Sequence, residues 1–161
     1  MSVGYWGNVS NTTVNSGGAM TVDGGSATNT TVNSGGCING FTVQTDNYYD
    51  SGIHVSNAVV YEAATLTSDQ TATDTTVNGS MTVNGSGSAV STIVNSGGRM
   101  DVASWGSATD TTVNSGGYMI VYSSGSAVST IVNSGGSMNV YYYGSATATT
   151  VNSGGSMEVY Y

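Results

Sequence analysis

The sequence predicts an all-β fold, a parallel β-solenoid in which short strands wind into stacked coils, and three observations indicate it. A seven-residue phrase, TTVNSGG or TIVNSGG, occurs six times in 161 residues. Methionines recur at a fixed spacing in M-x-V phrases. β-Branched segments alternate with Asn, Ser and Gly, which favour turns. Such repetition is typical of stacked repeats, because every coil meets the same neighbours whereas the parts of a globular core do not.

A column of apolar residues sets the length of the coils. The methionines of the C-terminal half recur with a 19-residue period, and weaker copies continue the column towards the N-terminus. The predicted column has nine members, one for each coil: Met20, Ile38, Ile53, Leu66, Met81, Met100, Met119, Met138 and Met157. At an interstrand spacing of about 4.8 Å, nine coils make a rod about 40 Å long.

The spacing also predicts how the chain is organised. We expect one β-solenoid domain over residues 1–161, because a single coil cannot bury its own apolar face. The coils are regular over 9–38 and 72–161 and degenerate over 39–71. In the degenerate part Leu66 takes the position of the methionine. The spacing of the column there predicts three coils that are shorter than the regular repeat. They run from Ile38 to Ile53, from Ile53 to Leu66 and from Leu66 to Met81.

Each regular coil is predicted to contain two main strands and two turns. In the copy over 106–122, ATDTTV and YMIVY favour strands, while Asn-Ser-Gly-Gly and Gly-Ser favour tight turns. Period-two alternation then separates core from surface. The residues predicted to face inward in this copy are Thr109, Thr111, Val113, Met119 and Val121, with the threonine hydroxyls bonded along the stack or to backbone. Those predicted to face outward are Asp110, Tyr118, Ile120 and Tyr122; the counterparts of Ile120 are Asp101, Asn139 and Glu158.

Charge excludes several classes of partner. The chain has one basic residue, Arg99, against nine Asp and Glu, for a formal charge of −8. A nucleic-acid binder needs several cations to displace phosphate counterions, so nucleic acid is excluded. The same deficit argues against docking on anionic membranes, and no apolar stretch of about 18 residues predicts direct membrane insertion. The N-terminus lacks the pattern of a signal peptide, so an exported chain would be part of a longer precursor.

Stacking turns each recurring polar residue into a ladder. The asparagines of the repeated phrase are expected to bond amide to amide inside the turn. The serines that follow them, and those after the Gly-Ser turn, suit tight turns and are also candidate glycan acceptors on a rigid rod. These candidates are Ser16, Ser34, Ser96, Ser115, Ser134 and Ser153 in the first ladder, and Ser107, Ser126 and Ser145 in the second.

An aromatic column is the candidate binding surface. Tyr122, Tyr141 and Tyr160 recur at the same position of successive coils, with further tyrosines nearby at the C-terminal end. Exposed aromatic rows are typical of binding surfaces. The alternative is a terminal cap that protects the open edge of the last coil.

No catalytic site, metal site or cofactor is predicted. His54 has no Cys, second His or acidic cluster at ligand spacing. Asn-Ser-Gly-Gly lacks the Lys of a phosphate-binding loop, and no copy carries the calcium-binding G-G-x-G-x-D. The acids are scattered and Arg99 stands alone, so the chain is not expected to be an enzyme.

The repeated GSATxTTVNSGGxMxV resembles the strand-loop-strand repeat of AIDA-like autotransporter passenger domains, the class of self-associating adhesins. The resemblance is strong over 9–38 and 72–161 and weak over 39–71. It implies a non-enzymatic bacterial cell-surface or secreted passenger that acts in adhesion, self-association and biofilm formation, with Ser and Thr as targets of O-heptosylation. The implied partners are a second copy of the chain, a protein O-glycosyltransferase and a host surface receptor.

Two alternatives remain open at this point. The first is a ligand-binding solenoid that takes carbohydrate on the tyrosine column or ice on a threonine array. Ice is disfavoured, because the outward column mixes Thr112 and Thr150 with Ile93 and Ile131. The second is a purely structural stalk or spacer, rigid and without a partner.

Overall fold

The structure is a computed structural model that describes residues 1–4, 6–22, 26–28, 31–32, 37–39, 54–56, 59–61, 63–67 and 70–161. Within these residues the secondary structure consists of 25 short strands, and no helix is present. The first ten strands are β1 (Ser2–Val3), β2 (Asn8–Ser10), β3 (Thr13–Val14), β4 (Ala19–Val22), β5 (Ser26–Thr28), β6 (Thr31–Val32), β7 (Cys37–Asn39), β8 (His54–Ser56), β9 (Val59–Val60) and β10 (Ala63–Leu66).

The remaining strands repeat the same three lengths in the same order. They are β11 (Thr71–Thr73), β12 (Thr76–Val77), β13 (Ser80–Val83), β14 (Ser88–Val90), β15 (Ile93–Val94), β16 (Arg99–Val102), β17 (Ser107–Thr109), β18 (Thr112–Val113), β19 (Tyr118–Val121), β20 (Ser126–Val128), β21 (Ile131–Val132), β22 (Ser137–Val140), β23 (Ser145–Thr147), β24 (Thr150–Val151) and β25 (Ser156–Val159).

The strands form the three faces of a parallel β-solenoid, which confirms the predicted fold class. The first face runs β2-β5-β8-β11-β14-β17-β20-β23 and the second runs β3-β6-β9-β12-β15-β18-β21-β24. The third consists of the sheets β1-β4-β7 and β10-β13-β16-β19-β22-β25. Regular rungs pair equivalent positions of successive repeats in parallel, as with Met100 and Met119. Identical positions therefore stack on one another.

Each coil has three strands, so the prediction of two was wrong. The segment predicted as one strand, ATDTTV, is divided by Asp110, whose φ is +54°. A left-handed residue turns the chain, and Asp tolerates this conformation better than most residues. The equivalent residues Asp74, Ser91, Ser129 and Ala148 have φ between 52° and 57°. The corner between the first and second faces is thus built into every coil from Thr71 onwards.

The corner also reverses which residues of the first strand face the core. Ala108 is fully buried, whereas Thr109, which was predicted to face inward, is half-buried. Thr111 and Val113 after the corner are fully buried as predicted. The alternation that places them inward does not extend back to Thr109, because the turn at Asp110 interrupts it. The predicted hydroxyl bonds are absent for four of the inward threonines, whose Oγ1 atoms have no partner: Thr92, Thr111, Thr130 and Thr149.

Among the described residues, eight coils follow β1, instead of the nine predicted for the chain. β8 pairs directly with β5 (Ala27 with Val55) and β9 pairs directly with β6 (Thr31 with Val59). No further rung therefore lies between these paired strands on the first two faces, and the coil predicted at Ile53 is not a separate rung there; Ile53 itself lies outside the described residues.

The middle coils are also longer than predicted. Val55 pairs with Ala72, and Ala72 pairs with Ala89. The same spacing of 17 residues separates Asn78 from its bonded partner Asn95. The spacing is below the regular repeat because the turn between the second and third strands is shorter. Asn-Ser-Gly-Gly of the regular coils is replaced by Tyr-Glu before Ala63 and by Asn-Gly before Ser80.

The apolar column was consequently misaligned in this part of the chain. Ala64, and not Leu66, lies beside Met81, while Leu66 lies beside Val83. The three short coils predicted between Ile38 and Met81 were therefore wrong.

The core is a set of identical ladders, one or two from each face. Buried columns of Ala, Val and Met run along the rod, and in three consecutive regular coils all their members are fully inaccessible: Ala89, Ala108, Ala127, Val94, Val113, Val132, Met100, Met119 and Met138. Met119 and Val121 face inward as predicted. Because each coil buries its apolar face only against the coils beside it, the solenoid is stabilised by stacking.

Candidate functional surface

The asparagine ladder is confirmed at the corner between the second and third faces. The Nδ2 of Asn114 donates to the Oδ1 of Asn95 at 2.9 Å, and Asn133 donates in turn to Asn114 at 2.9 Å. Asn152 extends the ladder at 2.8 Å, and Asn95 donates to Asn78 at 3.3 Å. This ladder fixes the geometry of the turn that carries the first serine candidates.

The first serine ladder lies on the outside of that corner. Its members Ser16, Ser96, Ser115, Ser134 and Ser153 are all exposed, and Ser34 lies outside the described residues. The glycine that follows each serine is left-handed, with a φ of +72° at Gly116, and the Oγ of Ser96 would lie 2.7 Å from a Cβ added there. The hydroxyl of one coil therefore rests over the glycine of the next, where no side chain covers it.

The second serine ladder lies at the corner between the third and first faces. Ser107 and Ser126 are half-buried, and Ser145 is exposed. Each is the first residue of its strand and donates its backbone N–H to the coil before it, as Ser126 does to Gly106 at 3.0 Å. Ser107 and Ser126 are therefore less accessible than the serines of the first ladder.

The predicted tyrosine column lies on the third face, just beyond its strands. Tyr141 and Tyr160 stack with their ring centroids 4.6 Å apart and their planes 10° apart. The Tyr160 hydroxyl donates to the Glu158 carboxylate, which raises the pKa of Tyr160 to about 12. Tyr122 occupies the same register position one coil earlier, since Val121 pairs with Val140. In the described residues the stack ends at Tyr141 and does not include Tyr122.

Polar residues beside the column hold it in place. The Nδ2 of Asn139 donates to the hydroxyls of Tyr118 and Tyr141, both at 3.0 Å. Burial and its interaction with Tyr141 raise the pKa of Tyr118. Asn139 and Ile120 were predicted to face water but are only 8% and 9% exposed. Asn139 is bonded to two tyrosines, and Ile120 lines a groove with Tyr122 and Tyr141.

An ion pair lies at the N-terminal end of this cluster. The Nε of Arg99 donates to the Oδ2 of Asp101 at 2.9 Å, and this bond raises the pKa of Arg99 further. The guanidinium carbon also lies 5.6 Å from the centre of the Tyr118 ring, within the range of a cation–π contact. The positive charge of Arg99 is therefore balanced locally by Asp101.

Between these groups lies a shallow groove of about 300 Å³. Its lining is mainly apolar and consists of Arg99, Ile120, Tyr122, Ser123, Tyr141 and Tyr142. Two of these, Tyr122 and Tyr141, belong to the predicted binding column, whereas Arg99, Ile120 and the support from Asn139 were not predicted. Aligning the coils by rung would have found them, because Arg99 pairs with Tyr118 and Asp101 pairs with Ile120.

Two further observations concern membranes and metals. No helix among the described residues is long and apolar enough to span a membrane. The same residues contain no group of three His, Cys, Asp or Glu side chains arranged to hold a metal ion.

The repeats match a known protein family and a solved structure. The family model "Adhesin of bacterial autotransporter system, probable stalk" matches residues 86–136 and 114–155. Among solved structures, the chain is similar to a fragment of TibA that was hyper-glycosylated by TibC, with 34% sequence identity and a TM-score of 0.69. The alignment covers 98% of this chain and 70% of that one. The chain belongs to the AIDA family of autotransporter adhesins. No curated protein matches it significantly.

Membership of this family indicates where the chain acts. An AIDA-type adhesin is exported, and its repeats form a passenger segment at the bacterial cell surface, so this chain is a cell-surface adhesin repeat. The resemblance inferred from GSATxTTVNSGGxMxV is thereby confirmed, as is the solenoid built from it.

Proposed function

We propose that this adhesin segment is a non-enzymatic rod whose first serine ladder is an acceptor for O-linked sugar. The observation that carries the proposal is the exposure of Ser96, Ser115, Ser134 and Ser153 on identical turns. A transferase that recognises one such turn meets the same turn again on the next coil, about 4.8 Å further along the rod. Repeated modification follows from this geometry.

The turn itself supports the proposal. Ser115 lies opposite the left-handed Gly135, whose missing side chain leaves the hydroxyl uncovered on that side. The backbone below is rigid, because Gly116 donates to the carbonyl of Gly135 at 2.8 Å. A rigid, uncovered hydroxyl loses little conformational entropy when it enters a transferase. The TibA fragment, a similar solenoid, was hyper-glycosylated by TibC, which makes TibC the natural enzyme for a test.

The test is the intact mass of the chain after co-expression with TibC. We expect a series of added masses in whole sugar units above 16.2 kDa. A variant with Ser96, Ser115, Ser134 and Ser153 changed to Ala should lose up to four of these additions. Its matched control, with Ser107, Ser126 and Ser145 changed to Ala, should keep them. An unmodified wild-type chain, or equal losses in both variants, would contradict the proposal.

We also propose that the rods adhere to one another. The second face supports this, because Ile93 and Ile131 are each 41% exposed at equivalent positions on β15 and β21. Such apolar side chains on a regular surface favour lateral association. Analytical ultracentrifugation of the modified and unmodified chains tests the idea, with Ile93→Thr/Ile131→Thr as the variant. A strictly monomeric wild type, with or without sugar, would reject self-association and leave a structural stalk.

A further inference from the structure

We propose that the groove on the third face is a binding site for a neutral sugar ring. This site is distinct from the serine ladder and does not depend on whether the serines are modified. The site lies beside the tyrosine stack. Tyr160 covers one face of Tyr141 at 4.6 Å, which is close to the distance between rungs. On the other side of Tyr141 the stack stops, and the groove opens between Tyr141 and Tyr122.

The groove has the shape and chemistry of a small-ligand site. Small-molecule pockets are mainly apolar, contain a few polar groups and occupy about 300–1,000 Å³. At about 300 Å³ this groove has room for one or two rings. Tyr122 and Tyr141 supply aromatic surface and Ile120 supplies an apolar base. One face of a pyranose consists of C–H groups that pack on such surfaces, while its hydroxyls remain at the rim.

The polar rim favours hydroxyl groups over a charged ligand. Arg99 is 49% exposed and uses its Nε for Asp101, so the N–H groups at the end of its guanidinium remain as donors. Its charge is balanced by Asp101, and the chain as a whole carries −8. A carboxylated or sulfated sugar would therefore be repelled by the field of the rod. A neutral sugar is not repelled by this field, and its hydroxyls accept hydrogen bonds from Arg99.

The site is held in position before any ligand arrives. Asn139 fixes the Tyr141 hydroxyl at 3.0 Å, and Tyr160 fixes the ring from behind. Asp101 holds Arg99 at 2.9 Å. Preorganised aromatic side chains lose little rotamer freedom on binding, which favours affinity. The groove residues and their supports lie on, or directly beyond, the adjacent rungs β16, β19, β22 and β25, so the groove depends on the register of four consecutive coils.

The test is a titration of the unmodified chain, labelled with ¹⁵N, with neutral probes: methyl glucoside, maltose, lactose and chitobiose. We expect saturable amide shifts at Ile120, Tyr122, Ser123, Tyr141 and Tyr142 for at least one probe. Glucuronic acid and N-acetylneuraminic acid should shift the same amides less at equal concentration. Shifts spread evenly over the rod, no saturation up to the solubility of all four probes, or tighter binding of the acids would overturn the proposal.

Variants supply a second measurement. Tyr122→Ala and Tyr141→Ala should each raise the dissociation constant of the best probe about tenfold or more, as expected for central aromatic contacts. Tyr141→Phe keeps the ring and its stacking on Tyr160 but loses the bond from Asn139, so it should weaken binding less than Tyr141→Ala does. Tyr143→Ala is the matched control, because Tyr143 is 89% exposed but does not line the groove. Equal effects of Tyr143→Ala and Tyr122→Ala would overturn the assignment, and the shift map of the wild type decides the matter if a variant fails to fold.

Discussion

Gly125→Ala is expected to destabilise the solenoid strongly, because the added methyl group has no space. A Cβ at Gly125 would lie 2.2 Å from the carbonyl oxygen of Val102 and 2.6 Å from its carbon. An ordinary C···O contact is about 3.3 Å or longer, so one coil must move by roughly 1 Å. The φ of Gly125 is not in the left-handed region, so crowding alone causes the effect.

The structure gives the magnitude. The carbonyl of Val102 accepts the N–H of Tyr122 at 3.0 Å, and Gly125 itself donates to Tyr122 at 2.9 Å. Ser126, the next residue, donates to Gly106 at 3.0 Å. Moving the coil weakens these bonds, each of which contributes about 1 kcal/mol when made and costs more when a buried partner is left without one. We expect a loss of about 3–5 kcal/mol in the free energy of unfolding.

Gly97→Ala is the control that separates crowding from backbone strain. Gly97 has a φ of +79°, but the nearest atom to an added Cβ is the carbonyl oxygen of Asn78 at 3.9 Å. Only the left-handed conformation opposes the substitution, at a cost of about 1–2 kcal/mol. Urea unfolding followed by far-UV circular dichroism measures both variants. If Gly125→Ala cost no more than Gly97→Ala, crowding between the rungs would not be the cause of the lost stability.

Three further substitutions test the inward threonines, the asparagine ladder and the tyrosine column. Thr111→Val should raise the free energy of unfolding by about 1 kcal/mol, because it removes a buried hydroxyl without a partner; thermal melting checks it, and a clear loss of stability would show that the hydroxyl is bonded. Asn114→Ala removes two side-chain hydrogen bonds of 2.9 Å and should lower the free energy of unfolding by about 2–3 kcal/mol, as measured by urea unfolding. Asn152→Ala, at the exposed end of the ladder, should lower it by less than about 1 kcal/mol. Equal losses would argue against the ladder as a source of stability. Glu158→Gln should lower the pKa of Tyr160 from about 12 towards the ordinary value of about 10, as measured by phenolate absorbance. Because the raised pKa favours the protonated phenol in the folded chain, its contribution to stability is complete below a pH of about 10 and is lost as the pH rises through about 12. If Glu158→Gln left the pKa of Tyr160 unchanged, the carboxylate would not be the cause of the shift.

The period of the sequence was enough to predict the fold class and most of the core. A parallel stack pairs equal positions, so the regular spacing of Met100 and Met119 directly gives their neighbours. What the period did not give is the direction of the chain between them. The left-handed corner at Asp110 is a single backbone angle, and Asp, Ser and Ala all occupy its equivalents. No residue type marked the third strand.

The degenerate coils were misjudged for a related reason. Matching by sequence assumes turns of constant length, whereas the stack needs only that the strands pair. The turn before Ala64 is shorter than in the regular coils, and the pairing of Ala64 with Met81 is kept because the next turn is shortened as well. The groove was predicted in part, because Tyr122 and Tyr141 repeat along one column. Arg99 and Asn139 do not repeat, and their role appears only when neighbouring columns are placed side by side.

Like-on-like pairing has a genetic consequence. Recombination between two repeats that adds or removes one whole unit joins Met to Met, Asn to Asn and Ser to Ser, just as the present coils are joined. The product needs no compensating mutation in its core, and its rod changes in length by about 4.8 Å for each unit. Reach from the cell envelope can therefore evolve by copy number alone, while cassettes such as the one bearing the tyrosine groove keep their chemistry wherever they are inserted as a block.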